Sequence, residues 1–165
     1  MSEAYEEIIE GEIQTRRAPS AEHEMLLERL RDRVAATLSP NSSLRLLPAR
    51  SGLQLSDRLT VRPDLAIVRV PPDRADPEVT PQLYLVAEVL LAGDHHIDTV
   101  VKKQLWSDLR LPRLWMVDPR YLNVEVCGCG EYGFTLLNIL ALRDDLTDPL
   151  LTGLAYPLAQ LFAGE

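Results

Sequence analysis

Asp64, Glu88 and Lys102 have the types and the spacing to do chemistry together. Asp64 follows a proline in "VRPDLAIV", Glu88 interrupts the apolar run "LVAEVL", and Lys102 comes 14 residues later in "DTVVKKQLW". Carboxylates are rarely fully buried unless they are paired or bound to metal. Two of them on adjacent strands repel each other, and a divalent cation removes that repulsion. Hard oxygen donors suit Mg2+ or Mn2+. If the helix packs back over the strand end, the Lys102 amine reaches the same point. There it can orient a water or steady negative charge developing on a phosphate. Plainer readings stand beside this one. Glu88 can lie solvated at a strand end, and Asp64 can cap the turn after Pro63. Asp98 and Lys102, four apart on a helix, can form a surface ion pair of about 0.2–0.5 kcal/mol.

These side chains need strands and a helix to bring them together. "LYLVAEVLL", Leu83 to Leu91, is nearly continuous in apolar residues, as a central strand covered on both faces should be. Ile97 to Leu109 reads as the helix after it. "DLAIVRV" is rich in β-branched residues, and Gly52 to Val70 is expected to hold two strands or one long bent one. Before these, "EEIIEGEIQTRR" reads as two short strands around the turn pair Glu10-Gly11. Ser20 is a good helix N-cap, with Glu22 and Glu24 in the first turn. Met25, Leu26, Leu30, Val34 and Leu38 then recur at helical spacing through Ala21 to Leu38. Leu44 to Pro48, Arg113 to Pro119, Tyr121 to Gly128 and Tyr132 to Ile139 read as further strands. "AYPLAQLFAGE" reads as a short helical turn docking on the body. Pro71 to Gln82 is a polar, proline-rich loop. The order is that of an α/β sheet, and 165 residues suit one domain.

Composition narrows the function classes. The chain is 46% hydrophobic and 25% charged, which is ordinary for a globular protein. Its net charge of -8 argues against a nonspecific polyanion binder, though not against an enzyme with a local basic groove. No apolar run has the length of a membrane helix, and the acidic start "MSEAYEEIIEGE" is unlike a secretory signal, so a cytoplasmic location is expected. Cys127 and Cys129 in "CGC" could hold half of a zinc site with His95 and His96. Two thiols in a reducing cytosol are the plainer reading.

Motifs in order along nearly the whole chain resemble the Uma2 family of endonucleases, within the PD-(D/E)xK restriction-endonuclease-like fold. "YEEIIEGEIQ" is similar to the family's opening hairpin, and "APSAEHEMLLERL" to its entry into the first helix. "VRPDLAIV" is similar to its Pro-Asp motif, and "LVAEVL" with "DTVVKKQLW" to its glutamate strand and lysine helix. "RLWMVDP" and "YPLAQLF" match its next strand and its tail. The resemblance implies one restriction-endonuclease-like domain over 1–165, a central mixed β-sheet flanked by helices with an N-terminal β-hairpin. It implies a Mg2+- or Mn2+-dependent nuclease acting on nucleic acid, DNA in the first instance. Asp64, Glu88 and the Val89 carbonyl would hold the ion, and Lys102 would orient the attacking water. The position two after the glutamate, where the parent motif has its lysine, is Leu90 here, so the lysine has moved onto the helix. By position, Glu12, His23 and Asp98 match further family residues and are accessory candidates. Where the family has a serine-rich segment ending in Thr, this chain has Leu91-Ala92-Gly93-Asp94. Asp94 and His95 could take over part of the site.

A second reading keeps the fold without the catalysis, as a binding or dimerising module. The acidic balance and the altered Leu91–Asp94 segment speak for it. A homodimer is expected under either reading, because symmetric dimers are the commonest oligomers.

Overall fold

A computed structural model describes residues 3–70, 82–90 and 97–163, with the side chains of Ile97 and Asp98 excepted. Asp94, His95, His96 and the loop 71–81 lie outside the described residues, as does the 91–94 segment.

The N-terminal hairpin is β1 (Tyr5–Ile9) and β2 (Glu12–Arg16), paired antiparallel with Ile9 opposite Glu12. Its two turn residues have positive φ, 54° at Glu10 and 83° at Gly11. That is the two-residue turn whose twist suits a hairpin. The positive φ is what favours glycine at Gly11; a Cβ there would meet only the flexible Arg58 side chain, 2.9 Å from its Nε. The hairpin continues into a four-stranded sheet, ordered β2-β1-β5-β4, with β4 (Leu53–Ser56) and β5 (Leu59–Val61).

Helix α1 (Ala21–Thr37) starts where Ser20 predicts: the Ser20 hydroxyl accepts the His23 backbone N–H at 3.1 Å. Its buried stripe is His23, Leu26, Leu27, Leu30 and Val34. The stripe lies on a six-stranded sheet, β10-β9-β8-β7-β6-β3. In chain order these strands are β3 (Leu44–Leu46), β6 (Leu65–Arg69), β7 (Gln82–Val89), β8 (Arg113–Asp118), β9 (Asn123–Gly130) and β10 (Gly133–Leu140). The β7–β8 pair is parallel and every other neighbouring pair is antiparallel, so the sheet is mixed. The chain between β7 and β8 ends in a π-helical segment, Ile97–Lys102, that runs into α2 (Lys103–Asp108).

Strand alternation divides the core. Leu65, Ile67, Leu85, Ala87, Val89, Trp115 and Val117 pack with α1, together with Leu158 and Leu161 of the short α3 (Leu158–Ala163). Ala66, Val86, Leu90, Leu114 and Met116 pack on the other face around Trp106 of α2. A period of two forces this partition. It also assigns Glu88, between Ala87 and Val89, to the α2 face.

The 52–70 region holds three strands where two, or one long bent one, were expected, because the chain turns between Ser56 and Leu59 and again before Leu65. The lysine helix is π-wound in its first turn. A further hairpin, β11 (Asp145–Asp148) and β12 (Leu151–Pro157), was not expected from the sequence. Its Leu146, Leu151, Leu154 and Tyr156 complete the core on the α1 face. None of the described helices is long and apolar enough to cross a membrane.

Candidate active site

The β6–β7 register pairs Leu65 with Ala87. Asp64 precedes that pair and Glu88 follows it, and the Asp64 carboxylate acts electrostatically on Glu88. Both are nearly inaccessible, at 4% and 3% exposure. The sheet thus delivers the two carboxylates to the C-terminal end of β7.

Lys102 comes to the same place from the π-helical segment. Its ammonium lies 3.1 Å from Glu88 Oε1 and 2.9 Å from Glu7 Oε1, with no exposed surface. Burial opposes its charge, but the two carboxylates outweigh burial and raise its pKa above the ordinary lysine value. It is a permanent cation and a proton donor in hydrogen bonds. Glu88 shows the opposite balance. Burial, against the pull of Lys102 and with the push of Asp64 and Glu7, raises its pKa to about 7.

Glu7 is the functional candidate that sequence reasoning missed. It is fully buried, accepts the Arg62 backbone N–H at 2.9 Å through Oε1, and pairs with Lys102 through the same oxygen. Its Oε2 has no hydrogen-bond partner, and Arg16 Nε stands 3.8 Å away. The matching candidate in the sequence was Glu12. Glu12 lies on the same hairpin face but at the exposed turn end, in a groove lined by Val101, Gln104 and Asp108. The period-two pattern of β1, with Tyr5, Glu7 and Ile9 on one face, was the available signal.

Asp64 is held on both oxygens. Oδ2 accepts the Val89 backbone N–H at 2.8 Å, and Oδ1 accepts Arg50 Nε at 3.1 Å. His23 enters from the first turn of α1. Its Nε2 lies 3.1 Å from the Val89 carbonyl oxygen and 3.8 Å from Asp64 Oδ2. A carbonyl only accepts, so Nε2 carries the proton and Nδ1 accepts from Arg50 Nη2 at 3.4 Å. Arg50 also hydrogen-bonds Glu24 and lies over the Tyr5 ring, 5.7 Å from its centre. The Tyr5 phenol is pushed up to about 12, first by burial and then by the nearby Asp64.

The structure therefore brings Asp64, Glu88, Val89, Lys102 and His23 together and leaves Glu12 aside. The backbone of Asp98 lies in the π-helical segment, and Asp94 is outside the described residues. Of the alternative zinc ligands, Cys127 is buried and Cys129 exposed.

The donor set suits a hard divalent cation. Glu7 Oε2 is a buried oxygen with no hydrogen-bond donor, each carboxylate keeps free lone pairs, and the Val89 carbonyl is beside Asp64. The side chains do not stand as a finished coordination shell. Among the described residues no three His, Cys, Asp or Glu groups converge as one, and Arg50 and His23 lie on Asp64 instead.

The chain matches the model of the Uma2 family, described as "Putative restriction endonuclease", over residues 2–159. The chain belongs to the Uma2 family. Its fold is shared with a crystal structure from Anabaena variabilis ATCC 29413, described as a "putative nuclease belonging to DUF820". The TM-score is 0.76 at 14% identity, over 96% of this chain and 89% of that one. No curated protein matches. For this Uma2 chain the mixed sheet, the opening hairpin and the α1 packing all agree with the fold expected from its motifs.

Proposed function

We infer that this Uma2 chain is a metal-dependent nuclease that hydrolyses phosphodiester bonds, with DNA as the first substrate to test. The single observation that carries the reading is the buried Lys102 bridging Glu7 and Glu88. A fold has little structural reason to bury one ammonium and two carboxylates, since such groups are costly out of water. Family membership and the nuclease description of the Anabaena structure support the same reading.

Glu88, Asp64 and the Val89 carbonyl would hold Mg2+ or Mn2+, with Glu7 Oε2 able to join them. The ion, when bound, supplies Lewis acidity and a more acidic water. Lys102 keeps its proton, so it orients the water and steadies charge on the phosphate; it is not the base. Without a cation, burial raises the Glu88 pKa to about 7, so a bound cation would favour its ionised form. His23 fixes the Val89 carbonyl from the α1 side.

Purified protein is incubated with Mg2+ or Mn2+ and plasmid, single-stranded or branched DNA, or RNA. Cleavage that is lost in Asp64→Asn and Lys102→Met is the expected result. Equal cleavage by wild type and Asp64→Asn would remove the assignment.

A further inference from the structure

Arg50 is an arginine where a glycine or asparagine would sit more easily. Its φ is 55°, the left-handed region. Its backbone is fixed on both sides: the N–H donates to the Pro63 carbonyl at 3.1 Å, and the carbonyl accepts Arg62 Nη1 at 3.2 Å. The side chain is tied to Asp64, one of the proposed ligands, to His23 beside it, to Glu24 and to the Tyr5 ring. It is 14% exposed, so solvent reaches it. A cation thus already covers an oxygen of Asp64 that the metal would need unshielded. A strained backbone over-determined by its surroundings points to a retained function.

We propose that Arg50 is a phosphate ligand of the nuclease, held on Asp64 and Glu24 until a divalent cation takes the aspartate. The inference rests on the metal-dependent reading above. A guanidinium is a planar fork that exchanges one oxyanion for another without changing its own charge. When the cation neutralises Asp64, the Arg50 head loses a partner on the site side while its backbone stays anchored. A phosphate oxygen brought beside the ion is the anion that replaces it.

The test has two readouts of opposite sign. Mn2+ is titrated against the thermal midpoint of wild type, Arg50→Met and Arg50→Lys. Binding of a short fluorescent DNA duplex is then measured by anisotropy with Ca2+, and the duplex is checked to be intact afterwards. Removing the competing guanidinium should make Mn2+ bind about tenfold more tightly, while DNA binds about tenfold more weakly, the worth of one charge-assisted hydrogen bond. Arg50→Lys, which keeps the charge but cannot span Asp64 and Glu24, should move both in the same directions by less. A purely structural arginine would lower the thermal midpoint and leave the Mn2+ concentration dependence alone; that result overturns the proposal. Unchanged DNA binding overturns it too. If wild type shows no Mn2+ dependence at all, the metal reading itself fails and takes the proposal with it. Wild-type binding that the variants do not alter sinks the Arg50 role only.

Discussion

Lys102 and Glu88 meet at 3.1 Å although one stands on a helix and the other on a strand 14 residues earlier. Neither is more than 3% exposed. Lys102 is the ammonium that Glu88 and Glu7 share, at 3.1 and 2.9 Å, and Arg16 Nε stands 3.8 Å from the other Glu7 oxygen.

Lys102→Met should therefore cost stability as well as activity. It leaves Glu7 and Glu88 buried against each other, and breaking a buried pair costs about 3–5 kcal/mol. Denaturant unfolding near about pH 8 measures the loss. It should shrink near about pH 5, where Glu88 takes up a proton.

Glu88 itself gives a pH signature with a definite sign. Its pKa rises from 4.5 unfolded to about 7 folded. Between these values the folded state holds the extra proton, so this group's contribution to stability falls as pH rises and is fully lost above about 7. The size is roughly 2–4 kcal/mol. Unfolding of wild type and Glu88→Gln at both pH values isolates it. Wild type should weaken relative to the amide variant as pH rises, and parallel pH profiles would contradict the assignment.

The two hairpin glutamates should separate cleanly. Glu7→Gln removes the carboxylate on Lys102 and should lower cleavage by about 100-fold or more, as the loss of an electrostatic partner at a reacting centre does. Glu12→Gln, at the exposed turn end, should leave both cleavage and melting temperature within error. Equal losses for the two would place the site elsewhere.

Asp64→Asn should retain most of the fold, because the amide oxygen can still accept the Val89 N–H. Its stability loss should be about 1–3 kcal/mol, for the charge removed from Arg50. The Mn2+-dependent thermal shift should disappear. A shift of wild-type size would show that Asp64 is not a ligand.

Much of this was legible in the sequence, for particular reasons. Ser20 with Glu22 and Glu24 announced α1, and Glu10-Gly11 announced the hairpin, because capping and turn chemistry are local. The apolar run holding Glu88 announced a central strand because burial on both faces leaves no alternation. Glu7 was missed because "YEEIIEGE" offers four glutamates, and the alternation of Tyr5, Glu7 and Ile9 that marks the inward one runs for only five residues. Arg50 left no local signal at all. Its partners come from α1, β1 and the start of β6, so its place exists only after the chain has closed. The β11–β12 hairpin was missed because β11 is only four residues long and the alternation of β12 breaks at Gly153, between Leu151 and Leu154.

The alternation along β7 has a consequence for inheritance. Ala87 and Val89 point into the α1 core, and Glu88 points the other way. Inserting or deleting one residue ahead of them would exchange the two faces, driving the glutamate among leucines and turning the valine toward Lys102. Such a chain would fail to fold before it could fail to react. Genetic drift can thus replace side chains in this strand one at a time, but it cannot shift the strand's reading by a single step, and the position of Glu88 is guarded by the core beside it.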